Sequence, residues 1–216
     1  MLRTLFQILC YYLAELYYAL FRCRPRKTIQ NQHIVITGTA QGLGAQFARK
    51  LAKLGNIIHC VDIDEALNER MVSELTSAGH SAYAYKGDVT SWESLCSLKE
   101  CIAKNGGDFV SYVINNAGIG EAGYLTEKSP KEIELTVKVR VINFDLTVEV
   151  ENFLFALMFL RSLILQVNLL GPMLVTKLFL PDMISRNEGH MVNIASISSY
   201  FPMMVNCDYS ATKGGC

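Results

Sequence analysis

The chain has 216 residues, half of them apolar, and its 20 Lys and Arg balance its 20 Asp and Glu. That length fits one ordinary domain with a single core; the apolar content excludes disorder, and the balanced charge leaves no footprint for a nucleic-acid partner. The seven cysteines (Cys10, Cys23, Cys60, Cys96, Cys101, Cys207 and Cys216) are scattered and odd in number. They make neither a disulfide framework nor a zinc site and read as reduced thiols facing the cytosol; no His, Cys and carboxylate cluster points to a metal.

Residues 2–21 are strongly apolar and run straight into Arg22, Arg24, Arg26 and Lys27. The length is marginal against the roughly 20 residues of a spanning helix. Gln7, Tyr11, Glu15 and Tyr18 recur at helical spacing, so a helix gathers them into a polar stripe opposite Leu5, Leu9, Leu13 and Leu16. A spanning helix, a helix lying in the membrane interface and a helix docked on the protein's own core all stay open. No small-residue cleavage site comes after it, which argues against a removed signal peptide. The basic flank places the domain after it in the cytosol. Residues 1–27 are therefore read as a membrane anchor with its basic flank, and residues 28–216 as the folded domain.

From His33 onward, short β-branched runs alternate with helical patterns, the signature of a parallel sheet covered by helices. The first strand is expected at 33–37 and its helix at 45–54; a second strand at 56–62 precedes a helix at 65–78. A third strand at 81–86, a helix at 91–105 and a fourth strand at 109–115 come next. A helix from about 167 to 185 leads to a fifth strand at 189–194. Right-handed crossovers make this an α/β domain with a doubly wound parallel sheet of Rossmann type.

Residues 139–166 do not fit the alternation. Without them, Lys138 joins Val167 and the helical pattern is continuous, so the segment reads as an insertion. Its first two residues, Val-Arg, can be encoded by a splice-donor-like GTAAGA and its last two, Leu-Gln, can end in CAG, while its Phe, Leu and Ser content is what pyrimidine-rich sequence translates to. A retained intron is the leading reading; a membrane-facing segment and a loop excursion are the others.

Between the first strand and its helix stands T-G-T-A-Q-G-L-G, Thr37 to Gly44. At such a junction Gly38 permits the tight turn, Gly42 lets backbone approach a pyrophosphate, and Gly44 lets helix and strand pack closely. The helix N-terminus adds amide donors and a positive dipole. Asp62, about 20 residues further on at the end of the second strand, can accept hydrogen bonds from the adenosine ribose hydroxyls and repels a 2′-phosphate. Neither Gln41 nor Ile63 supplies a cation for such a phosphate, so NAD is favoured over NADP.

Five further motifs stand in order along the chain: D-V at Asp88 and Val89, N-N-A-G at Asn115 to Gly118 with Ala117 inside it, V-N-L-L-G at Val167 to Gly171, I-A-S at Ile194 to Ser196, and Y-S-A-T-K at Tyr209 to Lys213. Together with the glycine motif, in which Leu43 separates Gly42 from Gly44, they resemble the short-chain dehydrogenase/reductase superfamily across the chain from His33. The resemblance implies Tyr209 as general base, Lys213 on the nicotinamide ribose, Ser196 on the substrate oxygen and Asn168 holding a relay water. It also implies Asp88 at the adenine amino group with Val89 against the ring, and Asn115 and Gly118 lining the cofactor. Tyr209 and Lys213 are four apart, so a helix puts them on one face, where the ammonium can stabilise phenolate. Ser198 and Ser199 are off the spacing, and His59 and His80 read as surface or strand-packing residues.

The apolar N-terminus, the Arg/Pro segment, L-F-L-P-D-M and N-E-G-H resemble the membrane-anchored branch that contains epidermal retinol dehydrogenase and the lipid-droplet 17β-hydroxysteroid dehydrogenases. That branch implies a retinol-like or steroid-like alcohol as substrate, a location at the endoplasmic reticulum membrane or lipid droplet with the catalytic domain facing the cytosol, and a homodimer when the domain is complete. Cys216 comes three residues after Lys213. The domain is thus expected to be C-terminally truncated, without its sixth and seventh strands and with an open sheet edge. Two functions stay open: an NAD-dependent alcohol dehydrogenase, and a catalytically silent membrane-associated protein that keeps a nucleotide-binding or partner-binding surface.

Overall fold

The computed structural model describes Cys10, Leu13 and residues 29–119, 166–200 and 207–214. The anchor reading at 1–27 and the insertion reading at 139–166 lie outside the described residues, except for Cys10, Leu13 and Gln166.

The strands are β1 (His33–Thr37), β2 (Ile57–Asp62), β3 (Ala82–Lys86), β4 (Tyr112–Asn115) and β5 (His190–Asn193). The helices are α1 (Gly42–Ala52), α2 (Glu65–Ser77), α3 (Trp92–Lys104), α4 (Gly171–Arg186) and α5 (Cys207–Gly214). Each expected element is present, displaced at its ends by a few residues at most. Two helix starts are set by side chains that take up an otherwise unpaired amide: Asp64 accepts from Leu67 N at 3.0 Å, and Ser91 from Ser94 N at 3.2 Å. Pro172 opens α4, where a missing N–H costs nothing, and Asn187 closes it in the left-handed conformation at φ 51°. The residues just before α4, Gln166–Leu170, form a π-helical turn, which an i, i+3, i+4 pattern in the sequence does not distinguish from an α-helical start.

All strand pairs are parallel, in the order β3-β2-β1-β4-β5. Alternating side chains point to opposite faces. Ile34, Ile36, Ile58 and Ile114 pack on Ala45, Ala48 and Ala52 of α1 and on Met71 and Leu75 of α2. Val35, Val61 and Val113 pack on Leu95, Leu98 and Ile102 of α3 and on Val175, Phe179 and Met183 of α4. Burial on both faces explains why the strands read as continuous β-branched runs. It also explains the apolar stretch Gln166–Arg186, which is long enough to cross a membrane on composition but packs against α3 and β4. The strand order reverses between β1 and β4, and a crevice opens there at the C-terminal ends of the strands.

At the opposite end of the sheet a polar chain runs through the core. Asn105 Nδ2 donates to Tyr85 Oη at 3.0 Å, so the phenol proton turns to His59 Nδ1, also at 3.0 Å. His59 Nε2–H then donates to His33 Nδ1 at 2.9 Å. Burial, and secondarily His33 beside it, lowers the His59 pKa to about 4, and burial raises Tyr85 to about 12. A histidine held neutral in the fold but titrating near 6.5 when unfolded favours the native state above pH 6.5, and that stability is lost as pH falls toward 4. We expect the parent to lose about 2 kcal/mol more than a His59→Gln variant between pH 7.5 and 5, on the order that linkage allows. Urea midpoints across that range check this; parallel curves for the two proteins refute it.

Candidate active site

The glycine loop leaves β1 at Thr37, and the positive φ of Gly38, 73°, turns it. Gly38 N donates to Val61 O at 2.8 Å. A side chain on Gly38 would lie 2.9 Å from Ala117 Cα, and one on Gly44 would overlap the Gly38 carbonyl oxygen and reach 2.6 Å from Asn116 Nδ2. The loop and the β4 exit are thus in contact, backbone on backbone. Thr37 Oγ1 accepts from Asn116 N at 3.1 Å and Ala117 N at 3.0 Å, and Asn116 Nδ2 donates to the carbonyls of Thr37 and Gly38, both at 3.0 Å. Gln41, Gly42 and Leu43 are exposed at the start of α1. Gln41 makes no side-chain cap there and the first turn carries no acid, so the helix N-terminus presents its amides and dipole to the crevice.

Asp62 stands beside this loop. One carboxylate oxygen accepts from Ala40 N at 2.8 Å and the other from Asp64 N at 3.0 Å, which fixes the orientation of the group. Asp88 follows β3; its Oδ1 accepts from Thr90 N at 2.9 Å and Thr90 Oγ1 at 2.7 Å. The Val89 side chain is 8% exposed and belongs to the core, close to Gly171 at the start of α4.

The second half of the site gathers where α5 packs on the π-helical turn and on the 3-10 turn Ile197–Ser199. Asn168 is fully buried. Its Oδ1 accepts from Ile119 N at 2.9 Å, and its Nδ2 donates to Ile119 O at 2.8 Å and Thr212 Oγ1 at 3.1 Å. Lys213, also buried, donates to Ile194 O at 2.9 Å. A side chain on Gly118 would come within 3.2 Å of both Asn168 Oδ1 and Lys213 Nζ, so the glycine keeps this corner open. Ser196 follows Ile194 by two residues; its Oγ accepts from Ser198 N at 3.2 Å and caps the 3-10 turn. Accepting that bond leaves the hydroxyl proton available to donate elsewhere. Tyr209 is half-buried one turn before Lys213. Asn115 lies under the corner, with Nδ2 donating to Asn193 Oδ1 at 2.8 Å.

The fold therefore brings Thr37, Gly38, Gly44 and Ala117 together at the glycine loop with Asp62 beside it, sets Gly118 against Asn168 and Lys213, and carries Tyr209 on the helix that packs on the turn capped by Ser196. The profile of the short chain dehydrogenase family matches residues 32–158 and 149–216. This chain belongs to the short-chain dehydrogenase family. It is 28% identical over 188 residues to human 17-beta-hydroxysteroid dehydrogenase 13, covering 87% of this chain and 53% of that protein. It is 29% identical over 191 residues to human epidermal retinol dehydrogenase 2, covering 88% and 52%. The chain thus spans about half the length of the curated relatives it matches. Among solved structures it resembles a short-chain dehydrogenase/reductase from Burkholderia phymatum in complex with NAD, with a TM-score of 0.68 at 26% identity over 88% of this chain and 58% of that one. It also resembles a metagenomic short-chain oxidoreductase in complex with NADP, with a TM-score of 0.65 at 26% identity over 88% and 73%.

Within this family member, residues that sequence reasoning passed over hold the named ones in place. Asn116 carries the bridge between β4 and the glycine loop, although only its neighbours in N-N-A-G were singled out. An Asn just past a strand end is a signal for such a bridge, since its short amide reaches nearby backbone. Asn68, Asn193 and Thr212 carried no signal, because their partners are distant in sequence.

Proposed function

We propose that this chain serves NAD-dependent interconversion of a lipophilic alcohol and its carbonyl, with Tyr209 as the general base. The observation that supports the reading is that α5, which bears Tyr209 and Lys213, packs on the π-helical turn through Thr212 and Asn168 and on the 3-10 turn that Ser196 caps. The residues fit a dinucleotide. The uncapped start of α1 suits a pyrophosphate, Gly38 and Gly44 leave the loop no room for anything bulkier than backbone, and Asp62, held beside the loop by two amides, suits the adenosine ribose hydroxyls.

When bound, the nicotinamide supplies the hydride acceptor. Tyr209 would take the alcohol proton as the carbon gives up its hydride, so the substrate loses one proton and one hydride and becomes the carbonyl. The Ser196 hydroxyl donates to the substrate oxygen. Lys213, whose ammonium donates to Ile194 O, would hold the nicotinamide ribose and support Tyr209 as the base through its charge. Asn168 locks the β4 exit to α5 so that these groups keep their spacing. Asp88 would accept from the adenine amino group, with Val89, which is 8% exposed, against the ring.

Likeness to 17-beta-hydroxysteroid dehydrogenase 13 and epidermal retinol dehydrogenase 2 supports a steroid-like or retinol-like alcohol. The apolar and basic residues 2–27 support attachment at the endoplasmic reticulum membrane or lipid droplet, with the domain on the cytosolic side. Solved relatives hold NAD in one case and NADP in another, so the choice of NAD rests on the Asp62 charge. Binding of NADH and NADPH, and their formation from all-trans-retinol and a steroid alcohol, test the reading. NAD is expected to be preferred by about 100-fold, the equivalent of about 3 kcal/mol of repulsion, and Asp62→Asn is expected to remove most of that preference. Equal affinity for the two would overturn the NAD assignment. Absence of binding by either would leave the catalytically silent reading in its place.

A further inference from the structure

Thr39 and Asn68 are both fully buried polar residues, and no catalytic or binding role described above uses them. Thr39 follows Gly38, whose turn sends the threonine side chain beneath the loop rather than into the crevice. There its hydroxyl donates to Asn68 Oδ1 at 2.8 Å, with Val61 O more distant at 3.3 Å. Asn68 projects from the first turns of α2. Its Nδ2 donates to Cys60 O on β2 at 2.9 Å and to Tyr85 O on β3 at 3.2 Å. The two carbonyls determine the amide's orientation, since a flipped amide would set Oδ1 against them. One side chain therefore joins four elements: α2, β2, β3 and the glycine loop.

Ala40, the next residue of the loop, is held from the side by Asp62. The span between the two glycines at 38 and 42 is thus tied at consecutive residues, from beneath through Thr39 and laterally through Ala40. A loop already set in its binding shape loses less conformational entropy when a ligand arrives.

We propose that Asn68 is a positioning residue for the dinucleotide, acting through Thr39 to set the glycine loop; the proposal rests on the cofactor reading above. Asn68 is fully buried, so a ligand in the crevice does not reach it. Its influence passes through one hydrogen bond, which a threonine-to-valine change removes at nearly constant volume.

The test uses the full chain and its Thr39→Val and Thr39→Ser variants, with two readouts. The first is hydrogen exchange of the amides at 38–42 without ligand. It is expected to quicken about tenfold in Thr39→Val, the scale of one hydrogen bond, to stay near the parent rate in Thr39→Ser, and to be unchanged in β1 and β4. The second is NADH affinity by fluorescence, expected to weaken about tenfold in Thr39→Val and to be recovered by Thr39→Ser. Loop exchange that stays at the parent rate in Thr39→Val overturns the proposal, whatever the ligand does. Exchange that quickens equally across the sheet also overturns it, because that marks general loosening. Faster loop exchange with unchanged NADH affinity removes the positioning role. If the parent binds neither NADH nor NADPH, the cofactor reading falls, and the positioning role falls with it. The exchange result then still decides whether Asn68 sets the loop.

Discussion

Turnover of a lipophilic alcohol is expected to fall by about 10²- to 10⁴-fold in Tyr209→Phe, the range general-base catalysis contributes, while NADH affinity stays within about threefold. The separation comes from where the residue sits. Tyr209 lies on α5, and Thr212 Oγ1 donates to its backbone carbonyl at 2.9 Å, a bond that phenylalanine keeps. The neighbouring contacts of Asn168 with Ile119 and of Lys213 with Ile194 do not involve the phenol. The change therefore removes the proposed proton acceptor while keeping the contacts of Asn168, Thr212 and Lys213 around it. Steady-state rates with retinol and a steroid alcohol, set beside fluorescence titration of NADH, separate the two effects. A variant that keeps more than a tenth of parental turnover would exclude Tyr209 as the base. Equal losses of affinity and turnover would point to a packing role instead.

Gly44→Ala is expected to weaken dinucleotide binding about 100-fold and to lower Tm, because overpacking against a rigid neighbour costs about 1–3 kcal/mol and sometimes more. The neighbours here cannot give way. The added carbon meets the Gly38 carbonyl, which belongs to a turn at φ 73° tied to Val61 O, and it meets Asn116 Nδ2, which already donates to two carbonyls. Relief requires α1 to move off β1, and that movement carries with it the uncapped N-terminal amides proposed to hold the pyrophosphate. Gly42→Ala is the control. Nothing lies within 4 Å of a side chain there, although φ is 61°. Its cost is the left-handed backbone alone, about 1–2 kcal/mol, so a smaller drop in both affinity and Tm is expected. Titration and thermal melting of the two variants side by side give the comparison, and equal behaviour would show that the close approach of α1 to the loop is not what position 44 protects.

The order and type of the described elements were legible in the sequence, because the signals are local. A β-branched run buried on both faces reads as a parallel strand, and glycines at set offsets read as a turn into a helix. The doubly wound architecture then comes from chain handedness. That Tyr209 and Lys213 lie on one helix, a turn apart, was legible for the same reason. What the sequence alone could not decide is which distant side chains hold those groups. Asn168 bonds Ile119, 49 positions away; Asn116 bonds Thr37, 79 away; and Asn68 joins Thr39 to the backbones of two strands. A polar side chain has no preferred distant partner until the strands are in register. Three such cases show the consequence. His59, which sequence reasoning leaves at the surface or packed in a strand, becomes the middle of a buried chain between His33 and Tyr85. Val89, which the sequence places only through its Asp-Val motif, joins the core cluster with Leu95 and Val175. The start of α4 becomes a π-helical turn that brings Asn168 to the β4 exit. Local periodicity determined the elements; the packing of the sheet against its two helical layers decided the contacts, because these depend on distances that exist only once the chain has folded.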